Sequence, residues 1–118
     1  MEIGIEIKER FSLITADGDM SENDLGKLSN AMETLMKKGY KHVVLDLSDV
    51  AFMNANGLGA LVNHWGQIRF KQGDLKIVGL NSRLGHLFRT MGADQIFDTY
   101  PDLMDMMEKT GRLPGIIS

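Results

Sequence analysis

Few of the 118 residues carry side chains suited to chemistry, and they are scattered. Asp46 and Asp49 fall at the end of the apolar run 42-HVVLDLSD-49. An acid pair working as general acid and base needs both carboxylates at one site beside a reacting group. Here one lies inside the run and the other beyond it, and no neighbouring His or Ser completes a set. His42, His64 and His86 belong to three different elements and lack the short spacings of zinc sites. Gly57 and Gly59 begin a dinucleotide-type glycine pattern, but Val62 stands at the third glycine position. The acidic residue that should follow about 20 residues later is missing from 77-IVGLN-81. A Gly-Lys-Ser/Thr phosphate loop is absent, and so is cysteine. These gaps point away from an enzyme, a metal centre and a bound cofactor.

What is left is a neutral polar turn, 54-NANG-57, between an apolar run and a helical pattern. Amides are poor acids and bases at neutral pH but good hydrogen-bonding groups, and glycines let a backbone be approached closely. Asn56 is placed to cap a helix starting near Gly57, worth about 1 kcal/mol. Asn54 is placed to hold the loop through its own backbone. The alternative for both is contact with a partner.

The elements that position this turn follow from periodicity. Ile3, Ile5 and Ile7 alternate with polar residues, so 2–8 reads as a strand with one wet face, turning near Glu9 and Arg10 into a second strand over 11–16. Ser21 is a cap candidate, with Asp24 three residues on, for a helix bearing Leu25, Leu28, Met32, Leu35 and Met36, closed at Gly39. The run 42–47 suits a central strand buried on both faces. Leu58, Leu61, Val62, Trp65 and Ile68 mark one helix face, with Trp65 in the core; the strand 75–80 follows. Leu84, Leu87, Phe88 and Met91 line a third helix, Ile96 and Phe97 a last strand, and Pro101 suits the first turn of a fourth helix. Met36, Met104, Met106 and Met107 read as core filler. Strands alternating with helices imply parallel pairing and right-handed crossovers. The fold class is α/β: one domain with a mixed, mostly parallel sheet of four to five strands and about four helices, over residues 1–110, followed by a tail at 111–118. The functional side of such a sheet is expected at the carboxyl ends of its strands.

Composition bounds the rest. Apolar residues are 43% and charged residues 25%, with a net charge of −3, which argues against nucleic acid as a direct partner. No apolar run is long enough to insert in a membrane, and the start of the chain lacks a signal-peptide pattern, so a cytoplasmic protein is expected.

The stretch 43–62 resembles the signature segment of STAS domains, and within them the single-domain bacterial anti-sigma factor antagonists. Their pattern of an L-D-L-S-like strand followed by F-M-D-S-S-G-L-G-A-L is matched here by 45-LDLS-48 and 52-FMNANGLGAL-61. The resemblance continues through LKIVGL, 81-NSRL-84, 88-FRTMG-92 and 96-IFDTY-100. It implies a regulatory protein-binding module whose partner is an anti-sigma factor or related serine kinase. In such proteins the second serine of the turn is phosphorylated, which breaks the complex. Here the family's Asp is Asn54, the first serine is Ala55 and the phosphoacceptor position is Asn56, while Ser21 replaces an acidic residue. Asparagine does not accept phosphate as serine does, so the resemblance implies a partner surface not switched at that position. Residues Ser21, Asn54, Ala55, Asn56, Gly57, Leu58 and Asn81 are the expected contact set. The alternative is an accessory or scaffold subunit of a transport, lipid-transport or stress-signalling complex. Ser82 is the more exposed candidate for phosphorylation elsewhere.

Overall fold

The computed structural model describes residues 2–20 and 24–110; the Ser21 cap and the 111–118 tail lie outside them. Five strands form one sheet in the order β1-β2-β3-β4-β5: Glu2–Ile7, Ser12–Asp17, His42–Asp49, Asp74–Val78 and Asp98–Tyr100. The β1–β2 hairpin is antiparallel and the other three pairings are parallel. Between the parallel strands run α1 (Leu25–Lys37), α2 (Ala55–Phe70) and α3 (Ser82–Thr90), and α4 (Leu103–Thr110) follows β5.

Right-handed crossovers between strands that always step the same way put α1, α2 and α3 on one sheet face. Alternation along the strands then divides the core. Ile14, Ala16, Val43, Leu45, Leu47, Leu75 and Ile77 pack against the apolar faces of those helices. Leu13, Val44 and Val78 point the other way and meet Met106 of α4. The central strand is therefore apolar on both faces over Val43–Leu45, as its composition requires.

Helix ends are set by local rules. Gly39 adopts φ 87°, and hydrogen bonds from Gly39 N to Met36 O and from Tyr40 N to Leu35 O close α1 in a Schellman motif. The same motif ends α2, but there Gln72 takes the left-handed position (φ 66°), with Gly73 N bonding Ile68 O. A Cβ at Gly73 would lie 2.4 Å from Lys41 O, so this glycine answers to close approach rather than to the turn. Among the described residues no helix is long and apolar enough to cross a membrane.

Four expectations need correction. The last strand is Asp98–Tyr100, not Ile96–Phe97. Ile96 and Phe97 follow a single 3-10 turn at Ala93–Gln95, and Phe97 is buried against Phe88 (ring centroids 5.8 Å) and Trp65 (6.3 Å, edge-on). Pro101 precedes the fourth helix, whose cap is Asp102, accepting from Asp105 N at 2.8 Å. Of the four methionines, Met106 is buried and Met36 half-buried, but Met104 and Met107 are exposed, because α4 is short and only one side of it meets the sheet. The hairpin's isoleucines are also less covered than one wet face implies: Ile3 packs on the core, while Ile5 and Ile7 are 46% and 48% exposed.

Gly79 follows β4 with φ 82°, and its N–H bonds Tyr100 O. A Cβ there would lie 2.2 Å from Ser48 Oγ and 3.0 Å from Asp46 Oδ1. Both the backbone conformation and the close packing resist a side chain. Gly79→Ala is expected to lower unfolding free energy by about 2 kcal/mol or more. Gly66→Ala, in the middle of α2 with open space at Cβ, is expected to raise it by roughly 0.5–1 kcal/mol. Urea denaturation of the two variants checks both signs.

Candidate functional site

Parallel strands deliver the starts of α1, α2, α3 and α4 to one end of the sheet. A ladder of hydrogen bonds binds the loops there. Gly18 N donates to Asp49 O (3.1 Å) and Met20 N to Phe52 O (2.8 Å), so the loop after β2 lies along the loop after β3. Met20 and Met53 form an isolated parallel bridge, and both side chains are buried. Asn81 joins the third loop: its Nδ2 donates to Val50 O (3.1 Å) while its Oδ1 accepts from Leu84 N (2.8 Å). One side chain thus caps α3 and ties it to the loop before α2.

The turn itself is built on Asn54. Its backbone is extended (φ −89°, ψ 171°) and its Oδ1 accepts from Gly57 N at 2.7 Å, which makes Asn54, not Asn56, the cap of α2. Asn56 is the second residue of the helix and is exposed, as is Ala55. Gly57 is buried: a Cβ would lie 3.2 Å from Asn54 Oδ1, Met20 O and Met53 Cγ alike. Leu58 is fully buried in the core and offers no side chain to the surface, which is a correction to its place in the expected contact set. The structure therefore brings Asn54, Ala55, Asn56 and Asn81 to one end of the sheet. Gly57 and Leu58 support the turn from beneath.

The sequence reading passed over Phe52. It is 41% exposed and sits two residues before the cap. The available signal was its place in a loop: Val50 and Met53 are buried, leaving Phe52 to point outward while its carbonyl joins the ladder.

Asp46 is half-buried and accepts from both Ser48 N (2.9 Å) and Ser48 Oγ (2.5 Å), so this serine hydroxyl is engaged locally. Ser82 is exposed at the start of α3. Among the described residues no three His, Asp or Glu side chains converge in a metal-binding group. Burial lowers the pKa of His64 below 6.5, opposed by a hydrogen bond with Gln67 and the charge of Glu33, and burial raises that of Tyr100. Neither residue is at the turn. His64 lines a groove of about 850 Å³ with residues of α1 and α2. A second hollow of about 860 Å³ lies beside α4, between Val44, Lys76 and Met106.

The carboxyl ends of the strands are the expected functional side, and the bonds above join their loops to one another. Ligand clefts in open sheets open where the strand order reverses. Here the order β1-β2-β3-β4-β5 never reverses, so adjacent loops stay in register and bond to one another.

A family model for the STAS domain matches residues 2–106. The anti-sigma-B factor antagonist of Listeria monocytogenes serovar 1/2a is 33% identical over 101 residues, covering 83% of this chain and 89% of its own. Among solved structures, an anti-sigma factor antagonist from Mycobacterium paratuberculosis superposes with a TM-score of 0.82 at 21% identity, covering 92% of each chain. The Bacillus cell fate determinant SpoIIAA in its phosphorylated form does so with a TM-score of 0.70 at 11% identity, over 92% of this chain and 99% of its own. These structural likenesses establish a common fold.

The two capping asparagines differ in what they ask of the side chain. Asn54→Asp keeps an acceptor for Gly57 N and is expected to stay within a few tenths of a kcal/mol of wild type, whereas Asn54→Ala should lose about 1 kcal/mol. Asn81→Asp keeps the cap but turns a carboxylate toward Val50 O, and should lose about 1 kcal/mol. Chemical denaturation of the three variants tests the assignment; equal losses for Asn54→Asp and Asn54→Ala would remove Asn54 as the cap.

Proposed function

We propose that this chain, which belongs to the STAS domain family, is a regulatory protein-binding module of the anti-sigma factor antagonist type. Its contact surface centres on Asn54, Ala55 and Asn56, with Phe52 and Asn81 beside them; Ser21, also expected in the contact set, lies outside the described residues. The partner is an anti-sigma factor or related serine kinase. The observation that carries this reading is Asn56: an exposed amide at the second residue of α2, where related antagonists carry the phosphoacceptor serine.

A phosphate brings about −1.5 to −2 charges and strong acceptor oxygens to such a surface. Asparagine has no hydroxyl from which to form the phosphoester. The surface accordingly keeps one charge state, and binding is controlled by the amount of protein or through another component rather than by modification at position 56. The Asn54 cap supports this assignment, because it holds the helix start in place without the carboxylate found in relatives.

Affinity capture from host lysate, followed by mass spectrometry, tests the reading with three proteins side by side. Wild type should retain an anti-sigma factor of the serine-kinase kind. Asn56→Asp should weaken that complex at least tenfold, about 1.4 kcal/mol. Asn56→Ser, incubated with the retained kinase and ATP, should gain a phosphate that wild type does not gain at this position. Retention of transporter or signalling-complex subunits instead would favour the accessory-subunit reading. Binding unchanged by Asn56→Asp would remove the turn from the contact surface.

A further inference from the structure

The β1 edge carries a pattern that the regulatory surface does not use. β1 hydrogen-bonds to β2 on one side and ends the sheet on the other. Exposed edges invite further strand pairing and are commonly blunted by charge, by proline or by cover. Residues 2–8, EIGIEIK, contain no proline. Their odd positions are isoleucines on the helix-layer side, and only Ile3 is packed against the core. Ile5 and Ile7 stand 46% and 48% exposed. The even positions carry Glu2, Gly4, Glu6 and Lys8, with Lys8 Nζ 2.5 Å from Glu6 Oε2.

We propose that β1 pairs antiparallel with β1 of a second copy about a two-fold axis through Ile5, giving a continuous ten-stranded sheet. The register follows from charge and side-chain alternation. A two-fold axis perpendicular to the sheet keeps each face on its own side, so odd residues meet odd and even meet even. With Ile5 on the axis, Ile5 meets Ile5 and Ile3 meets Ile7. On the other face Gly4 meets Glu6, and Glu2 meets Lys8, the residue that directly follows β1. A register two residues shorter would set Glu2 against Glu6, and one two residues longer would set Glu6 against itself. Like charges directly opposite are destabilising and opposite charges stabilising. Registers centred on Ile3 or Ile7 pair only three of these residues from each copy, so among those that pair five or more the charges favour the one in which the isoleucines are matched about Ile5. In that register the exposed Ile7 of one copy meets Ile3 of the other, at the end of β1 that is already packed against the core.

The pairing leaves the regulatory turn untouched. It lies beyond β3, at the carboxyl end of the parallel strands. The two-fold axis points the two copies' carboxyl ends in opposite directions, so each dimer carries two separate partner surfaces.

Sedimentation equilibrium from roughly 10 μM to 1 mM is the test. Wild type should approach twice its mass of 13.1 kDa. Ile5→Lys, on an exposed side chain, should remain monomeric with an unchanged far-UV spectrum. Glu2→Lys, which sets a second ammonium group opposite Lys8 of the other copy, should raise the dissociation constant at least tenfold. Glu2→Lys with Lys8→Glu should restore it, because the swapped charges again meet as opposites. A wild-type monomer throughout the range overturns the proposal, as does a dimer indifferent to Ile5→Lys or a charge swap that rescues nothing. A monomer whose capture of the regulatory partner is lost on Ile5→Lys would assign the edge to a different protein and equally overturn self-pairing.

Discussion

The carboxyl end of the sheet, where the candidate site lies, depends on the hydrogen-bonded seam that joins three loops across the ends of β2, β3 and β4. Gly18 to Asp49, Met20 to Phe52 and Asn81 to Val50 are bonds between loops, not within one. They restrain the entry to α2 from both sides, and Asn54 then fixes its first turn. Gly57 is the point where the seam is tightest, since the backbone of Met20, the side chain of Met53 and the cap all crowd the space a Cβ would take. A helix start held in this way presents Ala55 and Asn56 in a fixed geometry. In the proposed role such a geometry lowers the ordering cost of binding, because little conformational freedom is left to lose.

The two asparagines of the turn illustrate how position decides what a substitution does. At position 54 the side chain is asked for one acceptor oxygen, and amide and carboxylate supply it about equally. Replacing the family's acid there preserves the local fold. At position 56 the amide is exposed and has no hydroxyl to esterify, which is the property the proposed function rests on. The same residue type therefore holds the local fold at one site and faces outward two residues later. A backbone held by Asn54 and Asn81 keeps the surface intact while the chemistry of the exposed position changes.

Element order, the mixed sheet and the four helices are legible in the sequence, because alternation in β1, the apolar runs of β3 and β4 and helical spacing in α1 to α3 are strong and glycines follow several of these elements. Three features were hidden for identifiable reasons. Ile96 and Phe97 have strand-like side chains, yet Phe97 is claimed by an aromatic cluster with Phe88 and Trp65, and the pairing moves on to Asp98–Tyr100. Met104 and Met107 fit a helical stripe, but a two-turn helix on a sheet buries one methionine and leaves its neighbours outside. The cap fell on Asn54 rather than Asn56 because the helix begins two residues before Gly57, and two asparagines so close together give no local reason to choose between them. At the candidate site, the motif groups residues 54–58 together and could not separate Asn56 at the surface from Leu58 beneath it. That distinction comes from the helical rotation of about 100° per residue, which carries Leu58 inward.

Strand order explains why the loops at the carboxyl end of this sheet stay together. In a doubly wound sheet, neighbouring loops diverge where the order reverses, and a small molecule enters between them. In the present sheet every crossover steps to the next strand on the same side, so all three connecting helices share one face and successive loops remain adjacent. Adjacent loops satisfy one another's backbone groups, as the seam does. The same monotonic order leaves β1 as an outer strand with Ile5 and Ile7 beyond the reach of α1. A seam of mutually bonded loops at the carboxyl end and an open lateral edge are thus two consequences of one topology. The first carries the proposed partner surface at a capped helix start, and the second the proposed backbone pairing along a strand.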